Sequence, residues 1–320
     1  MNSFRGKILV IRGGAIGDFI LTLPALAALR RQFPEARVEV LGYPHIVKLA
    51  VAGGLADHAE SIEARSLAGY FARGGELAEG LADYFSEFDL IVSYLYDPDD
   101  IFRTNVGRCT GAQFIKGPHR PNEKLKVPAS QVYLKPLERL AIFDADPVPR
   151  LELRLPVGAA QGHSGGGRFP AGSVLALHPG SGSERKNWPE ANWAELLQRL
   201  MYFTELNLLV LGGEAEGERL QRLTAALPPA RVRVAQSLPL DQLAHALARC
   251  DLFVGHDSGI SHLAAALGLK AVILWGETVE EIWRPLSDKV VLVRHPAGVA
   301  GLPVEEVFGE LARQGQFASR

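Results

Sequence analysis

Ile8-Leu9-Val10-Ile11-Arg12-Gly13-Gly14-Ala15-Ile16-Gly17-Asp18 decides the fold. Four consecutive branched apolar residues suit a strand buried on both faces, as in a parallel sheet. The glycines then break the strand, and Ile16–Arg31 continues with helical spacing. Further strand-like runs follow at Arg37–Leu41 and Asp89–Val92. The pattern returns later in the chain at Val174–Leu177, Leu208–Leu211, Leu252–Val254, Ala271–Leu274 and Val290–Val293. Helical patterns separate most of these runs. Trp193, Leu196, Leu197 and Leu200 fall at i, i+3, i+4 and i+7, as do Leu240, Leu243, Ala244 and Leu247. Strands alternating with helices imply right-handed crossovers and parallel sheets covered on both faces.

Between the two series, Pro156–Gly172 holds six glycines and two prolines with little apolar content, the composition of a flexible linker. The expected organisation is a Rossmann-like domain over 1–155, a linker over 156–172, and a second Rossmann-like domain over 173–302. Two doubly wound halves of this kind bind ligands at the carboxyl ends of their strands, facing across a cleft.

The chain has 320 residues, 47% hydrophobic and 22% charged, a globular balance. Its 34 basic and 36 acidic residues leave a net charge of −2, so no global field draws it to nucleic acid. Two cysteines, Cys109 and Cys250, are too few for a disulfide scaffold and suit a reducing cytoplasm. The opening apolar run is too short for a signal peptide, and no stretch approaches the roughly 18 apolar residues of a membrane helix. The expectation is a soluble, cytoplasmic protein whose membrane contact is peripheral at most.

Three glycine turns carry the chemistry. In the first, a dinucleotide fingerprint fails because Arg12 stands two before Gly14, and Leu41-Gly42 offers no acid for a ribose. A nicotinamide enzyme is therefore a poor fit. What remains is backbone open to a ligand, with Asp18 either a reactive carboxylate or a helix-start acid facing the dipole. The second turn, His178-Pro179-Gly180-Ser181-Gly182-Ser183-Glu184-Arg185-Lys186-Asn187-Trp188-Pro189, exposes backbone N–H groups beside a mobile cation, which suits phosphate. It lacks the Walker spacing. The third, Gly255-His256-Asp257-Ser258-Gly259-Ile260-Ser261-His262, opens a helix that attracts an anion, with Asp257 as the expected N-cap. His256, Asp257 and His262 match no metal-ligand spacing. Asp97-Pro98-Asp99-Asp100 imitates a D-x-D metal motif and reads as a solvated turn.

Taken in order, these turns resemble bacterial glycosyltransferase family 9, the ADP-heptose:lipopolysaccharide heptosyltransferases. The likeness rests on Ile11–Asp18 with Thr22-Leu23-Pro24-Ala25-Leu26, on His178–Ser183 with Lys186-Asn187-Trp188-Pro189, and on Asp257–Leu263 with Ala264-Ala265-Ala266-Leu267. It implies a GT-B fold, with the acceptor on the first half and the sugar nucleotide on the second. It also implies that residues 303–320 form a helix packing back on the first domain. By the same resemblance Asp18 is the general base and Lys186 the diphosphate clamp. Gly180, Ser181, Gly182, Ser183, Asp257, Ser258, Gly259 and His262 surround phosphates and sugar. Glu216, with Glu214 and Glu218 close by, matches an acid that binds the adenosine ribose. Gly13 and Gly14 fall on the acceptor side.

Arg103, Arg108, Lys116 and Arg120 open a basic stretch that runs on through Lys124 and Lys126. It suits an acidic glycan or glycolipid acceptor, and reads equally as an ordinary solvated face. The implied enzyme is an inverting transferase needing no resident cofactor, with Mg²⁺ left open, acting on an ADP-sugar and binding no nucleic acid. The alternatives are an epimerase of the same fold, or a degenerate transferase kept for carbohydrate binding.

Overall fold

Lys7–Arg12 (β1) is the middle strand of a five-stranded parallel sheet in the computed structural model, which describes residues 4–153, 169 and 172–315. Around it lie Arg37–Gly42 (β2), His58–Ser61 (β3), Leu90–Ser93 (β4) and Gln113–Lys116 (β5), in the order β3-β2-β1-β4-β5. The helices are Ile16–Ile20 (α1), Leu23–Gln32 (α2), Pro44–Ala52 (α3), Glu79–Ser86 (α4), Ile101–Val106 (α5) and Ala129–Leu134 (α6). The single helix expected over 16–31 is two. Pro24 has no N–H to continue α1, and suits the first turn of α2 instead. This sheet and its helices form one unit, Met1–Arg154, with a core of Leu9, Ile11, Phe85, Ile91 and Phe102 among others.

The second unit, Leu155–Arg320, holds a six-stranded parallel sheet. Its strands are Val174–His178 (β6), Asn207–Gly212 (β7), Val232–Gln236 (β8), Leu252–His256 (β9), Lys270–Leu274 (β10) and Val290–Val293 (β11), in the order β11-β10-β9-β6-β7-β8. Its helices are Glu190–Phe203 (α7), Gly217–Thr224 (α8), Leu240–Leu247 (α9), Gly259–Ala266 (α10), Glu280–Trp283 (α11) and Val304–Gly315 (α12). The last helix packs within its own unit. Val304, Val307, Phe308 and Leu311 join the second unit's own core, and α12 packs on α7, β9 and β10. The stripe these residues form is satisfied there, and Lys270 Nζ ties the helix end by donating to Gln314 O at 3.0 Å.

Of the linker read over 156–172, all but Phe169 and Gly172 lies outside the described residues. No helix among the described residues is long and apolar enough to cross a membrane. Each sheet has one switch point, where the chain stops building outward on one side and starts on the other. These fall between β1 and β4 and between β6 and β9. A doubly wound sheet leaves a crevice beyond the carboxyl ends of that strand pair.

Candidate active site

At the first switch point, β1 ends on Arg12 and the chain turns through Gly13 and Gly14 into α1. Gly14 has φ +100°, and a Cβ there would stand 3.0 Å from Asp18 Oδ2, so the turn needs glycine. Asp18 Oδ2 accepts the Ala15 N–H at 3.1 Å, so the helix-start role read from the sequence is realised. Its backbone carbonyl accepts from Thr22 Oγ1 at 2.8 Å. Oδ1 faces Arg12 Nη2 at 3.5 Å. The Asp18 side chain is 28% exposed, that of Arg12 only 2%.

Arg12 is a site residue that sequence reasoning missed. Nη1 donates to His119 O at 2.9 Å and Tyr94 O at 3.4 Å, and Nη2 to Asp18 O at 3.4 Å. The guanidinium carbon lies 4.5 Å from the Tyr133 ring centroid. The signal in the sequence was an arginine closing an otherwise apolar buried strand.

The acceptor candidates are held by separate partners. Lys116 Nζ pairs with Asp100 Oδ1 at 2.6 Å and Arg120 with Glu123 at 3.0 Å. Arg108 Nη1 donates to Gly75 O at 2.8 Å and Asn105 Oδ1 at 3.1 Å, while Arg103 lies 5.9 Å from the Phe114 ring centroid. A Cβ on Gly13 would meet only Leu95. In the acidic turn, Asp97 accepts the backbone N–H groups of Phe102 and Arg103, and Asp99 pairs with Arg73 at 3.4 Å. Its carboxylates are thus engaged in starting α5 and pairing with cations.

At the second switch point the structure brings the predicted residues of the two turns together. Lys186, in a short 3-10 turn, reaches across to Asp257, Nζ to Oδ2 2.6 Å. The Asp257 side chain is 9% exposed, that of Lys186 38%. Asp257 is therefore not the N-cap of α10. That position belongs to Ser258, whose extended backbone lets Oγ accept the Ser261 N–H at 3.4 Å. The lysine engages the carboxylate that the sequence assigned to capping. Gly259 starts α10, and His262 is buried within its first turn. Gly182 has φ +72°, and the Ser181 hydroxyl lies 2.7 Å from Asn187 Oδ1 and 2.8 Å from Ser183 O.

Glu216 lies against Gly180: a Cβ there would stand 2.7 Å from Oε1, while Oε2 accepts the Gly213 N–H at 2.9 Å. Glu218 instead faces Arg222 at 3.8 Å. The loop is fastened from behind by residues without an assigned role. His256 Nε2 accepts the Trp188 N–H at 2.7 Å, so Nδ1 carries the proton, donated to Gly180 O at 3.3 Å. With both nitrogens engaged, His256 is a fastener rather than a metal ligand. Burial drives its imidazole down to about 4, and burial with the neighbouring His256 drives His178 down to about 3. Arg219 grips Glu184 at 3.1 Å and Pro179 O at 3.5 Å. A lysine, a glycine loop and the free N–H groups of α10 together can hold a polyphosphate anion.

Comparison with known proteins bears on the family and the fold. The model of glycosyltransferase family 9 (heptosyltransferase) matches residues 143–300. A lipooligosaccharide heptosyltransferase 2 of Haemophilus influenzae is 25% identical over 310 residues, covering 90% of this chain and 88% of the relative. Among solved structures, the Escherichia coli ADP-heptose lipopolysaccharide heptosyltransferase II superposes with TM-score 0.75 at 19% identity, over 96% of this chain and 98% of that one. An Escherichia coli heptosyltransferase solved with ADP gives 0.72 at 18%, over 96% and 99%. These two likenesses concern the fold. The chain is similar to glycosyltransferase family 9 over residues 143–300 and to heptosyltransferases along most of its length, and these likenesses support a glycosyltransferase.

Proposed function

We propose that this protein is an inverting heptosyltransferase. It moves a heptose, or a closely related sugar, from an ADP-sugar to a hydroxyl of a lipopolysaccharide-core-type acceptor. The second unit takes the donor and the first unit the acceptor. The observation that carries the reading is Asp18, a partly exposed carboxylate at the switch point of a family 9 fold. The ADP-heptose and lipopolysaccharide in the relatives' names support the choice of substrates.

The acceptor oxygen attacks the anomeric carbon, the bond from that carbon to the β-phosphate oxygen breaks, and the hydroxyl proton passes to Asp18. Attack opposite the leaving group inverts the centre. ADP departs with the electron pair, and Lys186 with the N–H groups at Ser258 and Gly259 stabilises the charge. The ammonium has three protons, so Lys186 can keep Asp257 and still bond a phosphate oxygen. That pairing lets a carboxylate stand beside a diphosphate. Glu216 Oε1 takes ribose hydroxyls, and His262 lines the sugar pocket. No step calls for a resident cofactor. Such an acceptor is a glycolipid, which puts the work on the cytoplasmic face of the inner membrane.

In Asp18→Ala, transfer falls by roughly 10²–10⁴-fold, the usual weight of a general base. The ADP dissociation constant, set by the second unit, stays within about threefold of the parent. Unchanged turnover with ADP-heptose and a lipopolysaccharide-core acceptor removes the base assignment.

A further inference from the structure

We infer that Arg12 is a positioning residue of the transfer reaction, holding the Asp18 carboxylate in the orientation in which it takes the acceptor proton. This rests on the reading of Asp18 as base, and an Asp18 variant tests that reading by itself. A guanidinium with 2% of its side chain exposed must find its acceptors inside the protein. Its two terminal nitrogens do so on groups that cannot swing, the backbone carbonyls of His119, Tyr94 and Asp18, with the Tyr133 ring 4.5 Å from its carbon, while Nε is buried without a partner. The arginine is therefore the fixed member of the pair, and the carboxylate is the member that is oriented.

Asp18 is held at two points, Oδ2 by the Ala15 N–H at 3.1 Å and Oδ1 by Arg12 at 3.5 Å. Two holds fix rotation about the last side-chain bond, which one would leave free. The Arg12 contact is long for a hydrogen bond, so it orients by charge and leaves the lone pairs of Oδ1 open to a hydroxyl. Each carboxylate oxygen has a further lone pair, and the exposed part of the side chain is where an acceptor can arrive. A displacement of about 1 Å at such a group can cost 10²-fold in rate. Lysine keeps the charge but not the rigid fork.

Single-turnover rates, KM values, the ADP dissociation constant and thermal unfolding are measured on full-length Arg12→Lys. The expected result is a rate loss of roughly 10–100-fold, with both KM values and the ADP constant within about threefold of the parent. In an Asp18→Asn background the Arg12→Lys change brings no further loss, since there is no base left to orient. A rate within threefold of the parent overturns the inference. So does a loss that appears in KM, or one as large in the Asp18→Asn background as in the parent. Should Arg12→Lys fail to unfold cooperatively, Tyr133→Leu replaces it, keeping the arginine but removing the ring beside it. Its rate falls at least fivefold at unchanged KM, and an unchanged rate overturns the inference. A fully active Asp18→Asn overturns the base reading itself.

Discussion

At Gly180 the Glu216 carboxylate occupies the space where a side chain would begin, so a larger residue must displace it. In Gly180→Ala the new Cβ would stand 2.7 Å from Oε1 and 2.9 Å from Cδ, so the carboxylate must leave the Gly213 N–H. If Glu216 contacts the ribose, ADP affinity falls about tenfold, in the range of one lost hydrogen bond to a charged group. Calorimetry that finds the affinity unchanged takes Glu216 out of the nucleotide site. Lys186→Ala has two separable effects. ADP binding weakens by roughly 10–100-fold through loss of a charge-assisted contact, and the protein loses stability because Asp257 is left nearly buried without its counter-ion. Adding Asp257→Asn restores stability but not ADP affinity; recovery of both, or of neither, contradicts the clamp. At this scale the sequence was legible where a candidate belongs to a local motif that the fold places at a switch point, as with Asp18, Lys186 and Ser258. It was silent on Arg12, whose residue type is visible but whose partners, Tyr94, His119 and Tyr133, come from far along the chain.

His178 and His256 end the two strands at the second switch point, and their burial couples these elements to pH. Each imidazole titrates near 6.5 when unfolded. In the folded protein the values drop to about 3 and about 4. As pH falls below 6.5 the unfolded chain therefore takes up protons that the folded one refuses. The stability these histidines contribute is whole above 6.5 and is lost as pH falls toward those lower values. The slope is about 1.4 kcal/mol per pH unit for each. Urea unfolding between pH 6.5 and 5 shows it, and His256→Gln, which can still accept the Trp188 N–H, halves the slope. A slope the substitution leaves untouched assigns the acid sensitivity elsewhere. Element by element, strands with continuous apolar runs were readable from the sequence, and β3, β5 and β8 were not. Those three are sheet edges. His58–Ser61 and Gln113–Lys116 have four residues each, and Val232–Gln236 buries only Val232 and Ala235, so none makes the apolar run of a doubly covered strand. The break between α1 and α2 was likewise hidden, because the apolar spacing runs on through Thr22 although the backbone hydrogen bonding does not.

The two sheets repeat one winding rule, each starting at its middle and building outward in both directions, and each unit closes its own core. The alternation of strands and helices announced this architecture. The packing of α12 was not legible, because an apolar helical stripe states that it must be covered and not by what. Its docking on α7, β9 and β10 makes the second unit complete in its own elements, so donor binding is expected to stabilise that unit alone. At 100 times its dissociation constant ADP contributes about 2.7 kcal/mol, a shift of roughly 5–10 °C for a unit of this size. The transition that moves belongs to the second unit. Hydrogen exchange then slows at the β6–α7 loop, the β7–α8 turn and the start of α10, while the backbone from Arg12 to Asp18 exchanges as before. UDP and GDP, lacking adenine, shift it less. Slowed exchange at Arg12–Asp18 with ADP alone assigns the nucleotide to the first unit, reverses the roles of the two switch points, and leaves Asp18 beside the leaving group, where a base has no proton to take.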